Sequence, residues 1–503
     1  MAPLKHSSSS IDSVPSSIVS YGDSDQSVQL MVISCYSDFE KLAHGPKGSE
    51  AQYCLYVYAF QPSDGSMVLL NIAGEAKDVI NPAFSRFHPR LNVLYTCTED
   101  IEQNGQILAY SVAPNGELTL MSSIDAGGTS TCYLTIDKDQ KNLLAVNYWD
   151  STIVTIPLST ENGNFAGEMT SKYDPKQGQK MVAAAKKNGG VNHSNNDEST
   201  IKMRQADPHS HALVLDPYVG CLAYVPCLGK DLVREFFYDK SEGKIVDEMN
   251  FLPSGLCTGM PDGPRYLEFH PKYNTMYVVN ELSSTIAVFA VNKKLIKEIN
   301  EAAKNGESLE RFKGKSTLTL IQSINTIPTA FPKKMNTCGR LCLHRSGRFI
   351  IVSNRGHQSL AIFKVREQGS SKGQLSSVGY FHTRGETPRH FKFDHSGQYL
   401  LVANQDSDNV SIFNFNQCTG ELKFTGNDYR VPSPNFICCC KVHDDDEPNR
   451  KSSFSSLDSS ISEEVSENGS TVTVQSRKHL EDELAKALLE IERLKKSLDL
   501  VAI

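Results

Sequence analysis

The chain has 503 residues, 39 % of them hydrophobic and 22 % charged, with a formal net charge of −7; this is a globular composition, too long for one ordinary core. Residues 444–503 carry net −6 and residues 1–27 net −2, which leaves the body near +1. That neutrality excludes nucleic acid as the main partner, because phosphate neutralisation needs a clustered basic face. No run of 18 apolar residues is present, so no membrane-spanning helix and no membrane partner is expected.

The N-terminal arm, 1–28, is serine-rich, without an apolar core segment or arginine, and reads as disordered rather than as a targeting signal. The 13 cysteines are scattered, with no C-x-x-C pair. Reduced thiols in the cytoplasm, with no metal site and no cofactor, are the expectation.

From residue 82 onward a pattern repeats. An aromatic or apolar strand ends in His or Asp, and a second strand rich in Val and Tyr ends about ten residues later. The six complete copies are anchored at His88, Asp137, Asp216, His270, His344 and Asp394. A third strand usually follows, as in 283–291, 357–365 and 407–415, and polar insertions occupy roughly 160–206 and 293–323. A seventh copy begins at Pro434 and is completed by strands at 29–36, 54–60 and 67–73. A period near 50 made of short alternating strands predicts an all-β, seven-bladed propeller over 29–443, closed by its N-terminal strands so that no sheet edge is left at the seam. A short helix is expected at 295–312. Residues 444–476 read as an acidic, serine-rich linker. Residues 477–503 read as an amphipathic coiled-coil helix with its seam at Leu480, Leu484, Ala487, Ile491, Leu494, Leu498 and Val501.

The repeat register predicts which residues converge. The start of each first strand lies beside the end of the second, at one rim of the propeller. Start positions carry Ala83, Cys132, His211, Arg265, Gly339 and Arg389; end positions carry Glu99, Tyr148, Cys227, Glu281, Arg355 and Gln405. One mouth is thus expected to collect several guanidiniums, a histidine and two carboxylates. Facing arginines repel unless carboxylates or an anionic ligand compensate, and arginine binds planar oxyanions with both nitrogens. Histidine titrates near neutrality. The residues suit proton transfer with stabilisation of an oxyanion, as in lactone opening or its reverse. Glu281 with Arg265 reads also as a structural ion pair, and His211 beside His209 as a turn cap.

The stretches RQADPHSH (204–211), GPRYLEFHP (263–271), VNELSSTIAVF (279–289), VSNRG (352–356) and TPRHFKFDHSGQYLLVANQDSDNVSIF (387–413) resemble the seven-bladed lactonase propeller family. That family includes bacterial propeller-type 6-phosphogluconolactonases and the fungal carboxy-cis,cis-muconate lactonizing enzyme. The resemblance implies catalytic roles for His211, Arg265, Glu281 and Arg355, with Arg389 in the same cleft binding substrate; Glu99 and His209 are further substrate-binding candidates from their positions at the mouth, and Glu99 reads as structural rather than catalytic. It implies a metal-independent hydrolase acting on a small anionic sugar lactone, with muconate cycloisomerisation and a non-catalytic scaffold as the alternatives. The chain departs from the family at Cys227, Thr131 and Tyr133. Lys176, Lys180, Lys186 and Lys187 in the first insertion favour a phosphate-bearing substrate.

The tail carries a prediction of its own. Three heptads are marginal alone and gain stability by packing against another helix. Residues 477–502 are expected to self-associate or to capture a partner helix. Truncation at 443 should abolish that assembly in sedimentation experiments and leave activity unchanged; a full-length monomer unaffected by the truncation contradicts self-association.

Overall fold

The computed structural model describes residues 28–175, 198–256 and 259–442. The N-arm, the linker, the coiled-coil helix and the insertion lysines lie outside these residues. The alternating runs form seven four-stranded antiparallel sheets, numbered here as blades 1–7 in chain order. The inner strands of blades 2–7 are Pro82–Phe87, Thr131–Ile136, Val214–Leu215, Pro264–Phe269, Thr337–Leu343 and Pro388–Phe393. In blade 1 the inner strand is Pro434–Val442, and the outer three are Val28–Cys35, Tyr53–Phe60 and Met67–Glu75. The last strand therefore pairs with the first, in register from Val28 opposite Val442 to Cys35 opposite Pro434. Both edges of the seam are consumed, as the missing seventh copy predicts. The core lies between neighbouring blades, where side chains such as Leu144, Val146, Ala223 and Val225 are fully buried.

The His or Asp anchor has a structural cause. It stands where the first strand turns into the second, and its acceptor atom receives the backbone N–H groups of that turn. His88 Nδ1 accepts from Arg90 and Leu91 at 3.1 and 3.0 Å, and His270 Nδ1 from Lys272 and Tyr273 at 3.0 and 2.9 Å. Asp216 accepts four N–H groups, from Tyr218, Val219, Cys221 and Leu222, between 2.7 and 3.0 Å. In blades 3, 5, 6 and 7 a recurring asparagine secures the other end of the hairpin. Asn147, Asn280, Asn354 and Asn404 each donate Nδ2 to a backbone carbonyl at the end of the preceding blade's outer strand, at Ala126, Ser254, Thr326 and Thr383. The residue after each asparagine is thereby held at the rim.

The insertions are more structured than their polarity suggests. The first contains the three-residue outer strand of blade 3, Ser171–Tyr173, and a helix, α1, Glu198–Arg204. The second contains α2, Lys293–Lys304, whose N-terminus is capped by Asn292 accepting from Leu295 N. The helix expected at 295–312 thus starts two residues earlier and stops sooner. Gly306 takes a φ of +69°, the left-handed conformation that ends a helix, and Glu310–Phe312 forms a separate 3₁₀ turn.

Replacing Asp216 with Ala strands four turn donors of blade 4. The expected cost is about 3 kcal/mol, read as a lower denaturant midpoint with an unchanged slope.

Candidate active site

A bulge aims the start-position side chains. In blade 5, Pro264 faces Asn280 and Tyr266 faces Val279, so Arg265 has no cross-strand partner. The same skip leaves out Ala83, Cys132, Arg389 and Asn435, and sets Gly339 and Arg340 against Ser353 alone. A bulged residue escapes the in–out alternation of the strand and its side chain is re-aimed. In blade 4, His211 stands just ahead of the short inner strand, its N–H bonded to Pro226 O at 3.1 Å. Glycine at 339 answers to a close approach, because a Cβ there would come 2.8 Å from Arg389 O.

These residues enclose one recess. Its walls are Ala83, Cys132, His211, Arg265, Arg389 and Asn435, together with Glu99 from the end position of blade 2. Its floor is formed by the residues one step further along the inner strands, Tyr266, His390 and Phe436. Ring contacts continue that floor: His390 stacks on Phe436 at 3.9 Å, Phe436 meets Phe84 at 4.5 Å, and Phe84 meets Tyr133 at 4.5 Å. The recess is narrow: its free core amounts to about 10 Å³, room for a single water.

Beside the recess lies a buried charge cluster centred on Glu281, which is 2 % exposed. Its Oε1 lies 2.7 Å from Arg204 Nη2 and 2.9 Å from Arg355 Nη2. Its Oε2 lies 2.9 Å from Arg265 Nε, close enough for a charge contact, yet that N–H is too poorly aligned to count as hydrogen-bonded. Arg265 Nη1 donates to Gly339 O at 3.0 Å and Arg355 Nη2 to Cys338 O at 2.7 Å. Burial alone would raise the Glu281 carboxyl, but Arg204, Arg355 and Arg265 outweigh it and hold the group well below the usual carboxylate range. The three guanidiniums therefore favour the ionised form of Glu281.

The other ionisable groups are pushed in different directions. Burial, then Arg265 beside it, holds His211 well below its ordinary value against the pull of Glu281, so the ring is neutral at pH 7. Its Nδ1 is buried without a hydrogen-bond partner. Arg355 is lowered to about 10 by burial and by the neighbouring arginines. Arg389 sits over the Tyr36 ring at 5.2 Å and 4.0 Å from Glu99. Four guanidiniums thus meet two carboxylates, an excess of two positive charges that an anionic ligand would offset.

The expected site residues fall into three groups. His211, Arg265, Arg389 and Glu99 line the recess as their register implies. Glu281 and Arg355 pair with each other behind it and do not line it. His209, expected to bind substrate, is fully buried: it stacks on Tyr148 at 4.8 Å and meets Trp149 edge-on at 5.0 Å, and so backs the wall. Arg204, Tyr36, His390 and Asn435 are the residues that the register of six copies misses. Arg204 opens the family-like stretch RQADPHSH, and Asn435 is the start position of the seventh copy; both signals stand in the sequence. Among the described residues no three His, Cys, Asp or Glu side chains converge as metal ligands, and no helix is long and apolar enough to cross a membrane.

Arg204→Met tests the cluster. Removing one partner of a buried ion pair costs about 3–5 kcal/mol, read from the denaturant midpoint at pH 7. Because the folded-state pKa of Glu281 is depressed, its contribution is present above the unfolded value and lost as pH falls through the folded one. The gap between wild type and variant should therefore narrow below about pH 4.5.

Comparison with known proteins identifies the family of this propeller. The family described as "Lactonase, 7-bladed beta-propeller" matches residues 31–439. A 6-phosphogluconolactonase of Bacillus subtilis is 27 % identical over 365 residues, covering 72 % of this chain and 88 % of that protein. One from Yersinia enterocolitica is 28 % identical over 344 residues, covering 66 % and 92 %. Among solved structures, the periplasmic gluconolactonase of Pseudomonas aeruginosa superposes with a TM-score of 0.62 at 23 % identity, over 82 % of this chain and 99 % of that one. A putative 6-phosphogluconolactonase of Bacteroides uniformis gives 0.63 at 21 % identity, over 83 % and 100 %; these two show the shared fold. The chain belongs to the lactonase family of seven-bladed β-propellers.

Proposed function

We propose that the protein hydrolyses an anionic sugar lactone of the 6-phosphogluconolactone type, using side chains alone and no metal. The observation that carries the reading is the recess that joins a neutral histidine to an excess of guanidinium charge. Relatives named 6-phosphogluconolactonase support the substrate class. In this reading Arg389 and Arg265 attract the anionic lactone, and Arg265 faces the carbonyl oxygen as it becomes an oxyanion. Glu281 fixes Arg265 and Arg355 in place. His211, being neutral, passes a proton to the departing ring oxygen. A cytoplasmic location fits the thiols, since none of the twelve cysteines among the described residues is in a disulfide.

Two alternatives remain to be separated from it. Muconate cyclisation would use the same arginines but consumes no water. A non-catalytic scaffold is favoured by the narrowness of that core and by the pairing of Arg265 and Arg355 with Glu281. Substrate entry on the lactonase reading requires the wall side chains to part.

The test is a parallel assay of 6-phosphogluconolactone and carboxy-muconate, with and without EDTA. Hydrolysis of the first alone, resistant to chelation, is expected. His211→Ala and Arg265→Ala should each lower its rate on the order of 10²–10³-fold. Wild-type rates in both variants contradict the assignment, and loss of turnover on chelation contradicts the metal-free mechanism.

A further inference from the structure

Hydrolysis needs a group to take a proton from water, and Glu281 is barred from that work by its three guanidiniums. His211, held far below its ordinary basicity, is a poor first acceptor. Glu99 is the one carboxylate in the wall of the recess, beside a free core the size of a water. It occupies in blade 2 the position that Glu281 occupies in blade 5, yet it is held differently. Tyr36 OH donates to its Oε2 at 3.0 Å. Its Oε1 lies 4.0 Å from Arg389 Nη2, beyond hydrogen-bond reach.

We propose that Glu99 is the general base of the hydrolysis, with Tyr36 as the residue that positions it. This rests on the lactonase reading. The water oxygen bonds to the lactone carbonyl carbon as one of its protons passes to Glu99, and the carbonyl π pair moves onto the oxygen facing Arg265. When that pair returns, the ring C–O bond breaks. The ring oxygen takes the proton from Glu99 by way of His211, whose neutral ring accepts at one nitrogen and releases from the other. The new carboxylic acid then ionises to solvent.

The charged and titratable surroundings agree with a working base. Burial raises the Glu99 carboxyl above the ordinary carboxylate value of 4.5, against the lowering by Arg389, the Tyr36 hydrogen bond and Arg265. The neighbouring Cys97 and Cys132 thiols are raised by burial and uncharged at neutral pH. His390, on the floor, is held neutral by burial and nearby cations. A base of raised pKa is a better proton acceptor at neutral pH and predicts an acid limb in the rate profile above pH 4.5.

The test uses the full-length chain with 6-phosphogluconolactone, kcat and KM being measured from pH 4.5 to 8 after subtraction of spontaneous hydrolysis. Glu99→Gln should lower kcat on the order of 10²-fold or more with little change in KM, and should abolish the acid limb. Tyr36→Phe removes a donor to the carboxylate, so its acid limb should move to higher pH; this variant decides the matter if Glu99→Gln does not fold. Wild-type kcat in Glu99→Gln, or an acid limb unmoved in both variants, overturns the proposal while leaving the lactonase reading intact. A wild-type protein that does not hydrolyse the lactone removes both.

Discussion

A carboxylate with three guanidiniums around it organises this site. Glu281 is held in position by the neighbouring Asn280 side chain, which ties the second strand of blade 5 to the end of the outer strand of blade 4. From that point it draws in Arg204 from an insertion helix, Arg265 from its own inner strand and Arg355 from the next blade. Without it, these buried cations would face one another across a low-dielectric interior. The cost of burying Glu281 is thus offset by three charges, and the arginines acquire fixed directions. Glu99 occupies the equivalent position of another blade and has one distant counter-ion instead of three contacts. One repeat position therefore yields an inert anion in blade 5 and a raised, recess-facing carboxyl in blade 2.

Much of this was legible in the residues because the repeat has a chemical reason at each fixed position. His and Asp recur at the anchor because both present an acceptor at the right reach for the turn's N–H groups. Asn recurs at the end of the second strand because its amide ties that strand to the end of the preceding blade's outer strand. Charged residues at variable positions between such fixtures, His211, Arg265 and Arg389 among them, marked the rim. The C-terminal strand closing on the N-terminal three followed from counting strands.

Depth was not legible. Register assigns a residue to the rim, but the bulge that lets Arg265 point inwards depends on a skipped pairing that no side chain announces. Arg204 lies 77 residues from Glu281, in an insertion outside the repeat, so no periodicity connects them. Glu281 and Arg355 read as recess residues because their positions match those of Glu99, yet their mutual attraction withdraws them behind the wall. His209 has the same chemistry as His211 two residues away, and stacking on Tyr148 with the Trp149 ring edge-on decides that it faces inward.

The central claim is that Glu281 stays ionised as a structural anion and leaves proton transfer to other groups. The most direct measurement is the pH titration of the Glu281 side-chain carboxyl by ¹³C NMR, assigned by comparison with Glu281→Gln. The account predicts that its carboxylate signal does not change as pH falls to about 4, well after ordinary glutamates begin to titrate. A Glu281 signal that titrates at or above the usual glutamate value would contradict it.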